Sequence, residues 1–550
     1  MRSPLWVLML PAVLSFPDSF AQKIKKNDKP VVDNLQKHIR FLSNDDLEGR
    51  RSGSKGEQVA DSYVSDQFKT IGLQPKGTNS SWLQDFEIYD GKDYSASALT
   101  FEGESISTND FFPFPASPQK SVKEQPSIAL REKGVPWFLD LKEILTTSAN
   151  NPHFDVWGFV EKISKDYAKK GATALFVYNT STYEDGLSFE PKSKGATLPI
   201  PVVCVNKNVT TKYFADESAT IDVDLKVAFT DKKRVAHNVV GYVDNGAKQT
   251  IIIGAHLDHL GHGEDGGTLG TNAGKNEIYN GADDNASGVA AVIELARMLK
   301  AAKFKNNNYL FIAFSGEELG LLGSKYFTEH PTVDLSSVNY MINLDMVGRL
   351  NDSNKALMIG GYGTSPSWNK YLTSVSDSKY FTVKYDSSGV GPSDHTSFYR
   401  KDIPVLFFFT GLHGDYHKPS DDFDKINYDG EFFIVKYIYN VIGATNKEAK
   451  LTFTKTTESQ TSTSAKFSVT LGIMPDYSFN GNGVRLDGVS DGRPAQKAGL
   501  QPGDVITKLG ADSVLSLENY MQALGKYKKG DKAPLKYKRG DKEISTEVTF

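Results

Sequence analysis

Cysteine is almost absent from this chain: Cys204 is the only one in 550 residues. No intrachain disulfide is available, so folding rests on burial alone. Cys204 sits in the apolar run PVVCVN, a setting for an inert buried thiol, which argues against cysteine-protease chemistry. Charge of one sign is also lacking: 63 Lys and Arg face 67 Asp and Glu, a net −4. That balance gives no basis for nucleic acid or an anionic membrane as a partner. Long hydrophobic runs are missing too. Residues 5–16, after Arg2, are apolar but interrupted by Pro11 and followed by Pro17, short of the ~20 residues a membrane span needs. With Ser19-Phe20-Ala21 behind it, this run reads as a signal peptide over 1–21, cut near Ala21, and predicts a periplasmic or secreted protein.

What is present concentrates between residues 250 and 345. TIIIGAHLDH is an apolar strand that breaks at Gly254 and presents His256 and Asp258. NGADDNASGVAAVIELARMLK places Asp283 and Asp284 directly before a helix with apolar helical spacing. NYLFIAFSGEELGLLGS runs a buried strand into Glu317 and Glu318, and VNYMINLDMVGR ends another at Asp345. One Glu-Glu pair alone is ordinarily a helix start favoured by the dipole. Open parallel sheets, however, bind ligands beyond the carboxyl ends of their strands. Every His, Asp and Glu here stands at such an end, and the mixture suits a divalent cation.

The motifs AHLDH, NGADDNASG, SGEELGLLGS, NLDMVGR and the later DYHKPSDD resemble the M28 family of dinuclear zinc peptidases, chiefly aminopeptidases. The resemblance implies an α/β fold with a mixed, mostly parallel sheet flanked by helices. It also implies two Zn²⁺ ions bridged by Asp284, with His256 and Asp345 completing one metal and Glu318 and His417 the other. Asp258 would then accept the second ring N–H of His256, and Glu317 would be free to act as general base. Tyr416 is a candidate donor to the oxyanion, since some members use a Tyr there; others use one before SDH, where Val390 stands. Asp394 and His395 of SDHTSF would lie behind the ligands, and the Asp284–Asn285 peptide would be cis. His259 and His262 read as loop residues near the cleft, because the ligand set is complete without them.

Around this centre the chain divides further. Residues 22–100 open the catalytic domain with two helical patterns separated by LEGRRSGSKGEQVA. From 101 to 235 the peptidase motifs stop. A helix with a Gly171 stop and a buried strand at 174–178 there resemble an inserted, β-rich protease-associated (PA) domain. The catalytic domain resumes over 236–447, and TFTKTTESQTSTS marks a Ser/Thr-rich linker over 448–465. GRPAQKAGLQPGDVI makes 466–550 resemble a bacterial PDZ domain, whose loop Leu471-Gly472-Ile473 would hold a peptide carboxylate.

Three functions remain open on sequence alone. The first is an exported metallo-aminopeptidase acting on peptides with a free N-terminus. The second is a carboxypeptidase-type or glutaminyl-cyclase-like relative on the same fold, although cyclases work with one metal. The third is a non-enzymatic PDZ/PA binding protein, which missing ligands would betray; none is missing.

Overall fold

The computed structural model describes residues 24–148, 154–193, 196–268, 277–376, 380–456, 469–475, 479, 481–489, 493–515, 517–528 and 530–550. The expected signal peptide and the linker residues 457–468 lie outside them.

Among the described residues nine strands build the main sheet. Its order is Gln74–Pro75, Thr230–Val243, Asn308–Phe314, Thr250–His256, Val338–Leu344, Val405–Phe409, Ala356–Gly360 and Thr382–Tyr385, with Leu83–Asp93 also on Thr230–Val243. The sheet is mixed and its centre is parallel: Thr250–His256 lies between Asn308–Phe314 and Val338–Leu344, and Val405–Phe409 continues in the same sense. Three of these central strands are buried along their whole length. Burial on both faces explains why they read as unbroken apolar runs rather than alternating ones. Helix Gly288–Ala301 packs on the sheet and is itself covered by helices Lys29–Leu42, Lys55–Ile71 and Tyr428–Thr445. Its apolar residues therefore spread around the helix instead of forming one stripe.

A long antiparallel ribbon carries the insertion. Leu83–Asp93 pairs with Thr230–Val243 from Leu83 opposite Val239 out to Asp93 opposite Thr230. The inserted unit thus spans 94–229, and the boundaries expected at 101 and 235 fall one in a strand of the unit and one in the ribbon. Among the described residues two four-stranded sheets make up this unit, and Leu99, Phe101, Phe138, Phe176, Val203 and Leu225 share one core between them. Helix Val156–Lys170 starts on Asp155, whose carboxylate accepts the Gly158 N–H at 2.8 Å, and ends at Gly171 with φ +109°. Only a glycine adopts that turn without strain.

The carboxyl-terminal strands Ile473–Pro475, Val484–Val489, Val505–Leu509, Lys532–Arg539 and Lys542–Thr549 form a separate sheet. Leu471, Leu486, Ile506 and Leu535 give it a core of its own. The start of the expected linker is not free. Leu451 is buried in the main core, the Thr454 N–H donates to the Thr364 carbonyl at 2.8 Å, and the Thr456 N–H donates to the Tyr399 hydroxyl at 2.9 Å. In the Leu471-Gly472-Ile473 loop the Gly472 N–H already donates to Thr470 Oγ1 at 3.0 Å. One of the donors expected to face a carboxylate is therefore engaged within the loop.

Candidate metal centre

Local backbone turns deliver the side chains. Gly316, φ +68°, turns the chain out of Asn308–Phe314 so that Glu317 and Glu318 follow at once. Gly281, φ +56°, opens the Ala282–Ser287 turn that presents Asp284, and the Asp284–Asn285 peptide is cis. Asn285 locks this turn to the next strand: its side-chain N–H donates to the Leu344 carbonyl at 2.9 Å, and its Oδ1 accepts from Gly288 N and Met346 N. Asp421 Oδ2 accepts both the Asp283 and Asp284 N–H groups, at 3.0 and 3.1 Å.

These turns bring all five expected ligands together. His256 Nε2 lies 3.2 Å from Asp284 Oδ1 and 3.4 Å from Asp345 Oδ1. On the other side His417 Nε2 lies 3.2 Å from Asp284 Oδ2 and 3.4 Å from Glu318 Oε2. Asp284 therefore offers one oxygen to each group. All three carboxylates are nearly buried, and among the described residues their ion-pair partners are imidazoles alone. A buried cluster of carboxylates that no described Lys or Arg contacts in an ion pair is costly unless a cation neutralises it. The donor set fits metal ions: imidazole and carboxylate without thiolate suits zinc.

Three expectations change in detail. Asp258 does not accept from His256 through its carboxylate, which stands 3.8 Å from the ring Nδ1. The Asp258 backbone carbonyl takes that place at 3.1 Å. The carboxylate instead accepts the Glu317 N–H at 3.1 Å and the Ser52 hydroxyl at 2.8 Å, so it holds the turn that carries Glu317. Behind the ligands it is Ser393 that makes contact, its hydroxyl donating to Asp345 Oδ2 at 2.7 Å. Asp394 and His395 are buried beside it; burial pushes the Asp394 carboxyl up to about 7 and His395 down to about 3, and His395 stacks on Phe407. Third, His259 is no loop bystander. It is buried, and its Nδ1 lies 2.8 Å from Glu318 Oε1 and 4.0 Å from Asp284 Oδ2, while Nε2 has no hydrogen-bond partner. Facing a carboxylate oxygen, Nδ1 acts as the hydrogen-bond donor and steadies Glu318. His262 makes its turn through the backbone, donating N–H to Glu264.

Sequence reasoning missed Arg50 altogether. Fully buried, it donates to the carbonyls of Leu257 (2.8 Å), Asn280 (2.7 Å), Gly281 (3.0 Å) and Leu42. One guanidinium thus ties the His256 turn to the Asp284 turn and to the end of helix Lys29–Leu42. An Arg inside the Gly-rich LEGRRSGS was the available signal, but a surface turn predicts the same composition.

Electrostatics divide the carboxylates. Burial pushes the Glu317 carboxyl well above its ordinary value, and Glu318, Asp345 and Asp394 push in the same direction against His256. Glu318 feels burial as well, yet His417 and His259 outweigh it and hold its carboxyl down at about 2. Tyr416 stacks on the His417 ring with centroids 3.8 Å apart.

A parallel-centred sheet that gathers imidazoles and carboxylates at its carboxyl edge defines a metal-binding α/β domain. Residues 238–442 match the model of peptidase family M28 and residues 455–550 that of a PDZ domain; the chain carries an M28 peptidase domain followed by a PDZ domain. An aminopeptidase of Bacillus subtilis is 27% identical over 279 residues, which are 48% of this chain and 55% of that protein. A probable leucine aminopeptidase 2 of Aspergillus oryzae is 25% identical over 438 residues, 75% of this chain and 80% of that protein. The chain thus spans about half the length of the first of these relatives. Among solved structures, an aminopeptidase from Aneurinibacillus sp. strain AM-1 aligns with a TM-score of 0.42 at 24% identity, covering 78% of this chain and 96% of that one. No helix among the described residues is long and apolar enough to cross a membrane.

Proposed function

We propose that this chain is an exported dinuclear zinc aminopeptidase that removes N-terminal residues from peptides. The observation that carries the reading is Asp284, whose two carboxylate oxygens face two imidazole–carboxylate sets 3.2 Å away on either side. His256 and Asp345 would hold one zinc, Glu318 and His417 the other, with Asp284 shared. Zinc supplies Lewis acidity there, polarising the scissile carbonyl and lowering the pKa of water.

The chain's own groups handle the proton. Glu317 takes one from the attacking water and returns it to the leaving amine; a carboxyl raised above its ordinary range suits that exchange near neutral pH. Asp258 keeps the Glu317 turn in place through the Glu317 N–H. Tyr416, packed flat against His417, stands beside the cleft as the candidate donor to the developing oxyanion. The unit at 94–229 serves as a PA-type domain, and the carboxyl-terminal domain captures free carboxyl ends of longer peptides near Leu471-Gly472-Ile473.

The aminopeptidase reading leans on the names of the relatives above. Zinc-loaded protein assayed on aminoacyl reporter amides, beside the same peptides with blocked N-termini, tests it. Cleavage of the free forms only, lost with a chelator and restored by Zn²⁺, is the expected result. Equal cleavage of blocked peptides would move the reading to a carboxypeptidase type, and a single bound zinc would favour the cyclase-like alternative.

A further inference from the structure

The ring of His417 is oriented from outside the five-ligand set. Its Nδ1 lies 2.7 Å from the Gly267 carbonyl. With that acceptor in place Nδ1 keeps its proton, so that a metal displacing the Nε2 proton would meet the Nε2 lone pair on the side of Asp284 and Glu318, the tautomer a metal needs. Gly267 belongs to the loop that follows His259. The loop's first residues are fixed by backbone bonds, His259 N–H to the Arg50 carbonyl at 3.1 Å and Gly261 N–H to the Gly49 carbonyl at 3.0 Å.

Two residues before Gly267 stands Asp265, and three cations from three separate segments converge on it. Arg51, in the turn before helix Lys55–Ile71, grips both oxygens, Nε to Oδ2 at 2.8 Å and a terminal nitrogen to Oδ1 at 3.0 Å. Arg234, from the ribbon strand, reaches Oδ2 at 2.9 Å. Lys192, from the inserted unit, bonds Oδ1. Asp90, on the opposite ribbon strand, lies 3.2 to 3.4 Å from the same three cations. Exposed ion pairs contribute little, but this knot is not one of those. The Asp265 and Arg234 side chains are 9% and 10% exposed, and the Arg51 grip is two-pronged, the stronger geometry. Burial alone would raise the Asp265 carboxyl; Arg51, Lys192 and Arg234 together hold it well below the usual carboxylate range.

Resting on the zinc reading above, we propose that Asp265 is a positioning residue for His417. Through Lys192, and through Arg234 on the ribbon that carries the insertion, it lets the inserted unit set how tightly the zinc on the Glu318–His417 side is held. The competing account is that the knot only staples the insertion to the peptidase. Metal affinity separates the two. The full chain, wild type and variants, is titrated with zinc against a chromogenic chelator, which reads each site without any substrate.

Asp265→Asn is expected to weaken one of the two zincs by about 10–100-fold, the cost typical of losing a partner that orients a ligand, and to leave the other unchanged. Lys192 lies at the surface, so Lys192→Met reads the same coupling without disturbing the core; it shifts the same site by less, and Lys192→Arg restores it. Two zincs at wild-type affinity in Asp265→Asn and Lys192→Met would overturn the proposal, as would equal weakening of both sites alongside a lowered Tm. Wild-type protein that binds no zinc would instead overturn the functional reading beneath it.

Discussion

Parallel strands end in polar residues at two places in this molecule, with opposite results. In the inserted unit Trp137–Asp140, Leu175–Tyr178 and Val202–Val205 run parallel and end at Asp140, Asn179 and Asn206. Each of these is taken up by its own loop or a neighbouring one. Asp140 Oδ1 accepts the N–H of Lys142 and of Thr180. Asn179 donates to the Tyr183 carbonyl and to Asp185 and accepts from Ser181, while Asn206 caps a helix and donates to Asp110. A cavity of about 580 Å³ opens there, lined by Tyr94, Phe111, Tyr178, Asn179, Phe189 and Asn206, yet among the described residues none of the buried polar atoms without a partner lies in its lining. In the peptidase sheet the strand-end carboxylates Asp284, Glu318 and Asp345 have, among the described residues, only imidazoles as ion-pair partners, and the nearby Arg50 gives its hydrogen bonds to backbone carbonyls. A sheet end becomes a reactive site when its groups are held buried and left unneutralised; position alone is insufficient.

The sharpest test of that contrast removes a charge from the reactive end. Glu317→Gln keeps zinc content and fold and lowers turnover by about 10²–10⁴-fold, as general-base loss does; a wild-type rate in steady-state assays would void the assignment. Next comes Asp258→Asn. Because its carboxylate holds the Glu317 turn rather than the His256 ring, kcat should fall by about 10–100-fold with zinc affinity little changed. Chelator titration showing the reverse split would return Asp258 to the His256 ring.

Proton linkage gives a smaller graded effect. Despite burial, which lowers it, Glu318 and Asp284 raise His417 to about 11, and Asp345 and Glu317 likewise lift His256 well above its ordinary value. The metal-free rings hold protons that zinc must displace, so binding releases protons and strengthens as pH rises, by about tenfold per pH unit for each ring. Calorimetry in buffers of different ionisation heat should show this; buffer-independent heats would contradict it.

At the satisfied end, Asn179→Ala should leave zinc affinity and kcat untouched and only lower Tm, at about 1 kcal/mol for each lost hydrogen bond. A change in kcat would mean that the inserted cavity takes part in turnover. The smallest effect is expected from ending the chain near Ser459, beyond the packed Thr456. Hydrolysis of a short reporter should be unchanged and that of longer peptides reduced, whereas equal loss on both would make the carboxyl-terminal domain a structural one.

By itself the sequence determined the apolar strands, because burial on both faces demands unbroken runs such as Ile251-Ile252-Ile253 and Leu310–Phe314. It also determined the residue types at their ends, since His, Asp and Glu after a buried strand have no packing role. Three elements were decided by tertiary structure alone. His259 looked like loop, and became a buried partner of Glu318 because the Gly281 turn lets its ring approach closely: a Cβ on Gly281 would meet the ring Cγ at 2.6 Å. Arg50 and Arg51 are adjacent in sequence yet divide their work, one clamping carbonyls of the ligand turns and the other gripping Asp265 more than two hundred residues away. Asp258 pointed to His256 by spacing, but its oxygens went to Ser52 and Glu317. Spacing in a sequence fixes which residues leave a strand together; which partner each polar atom finds depends on long-range packing, which brings distant donors within 3 Å.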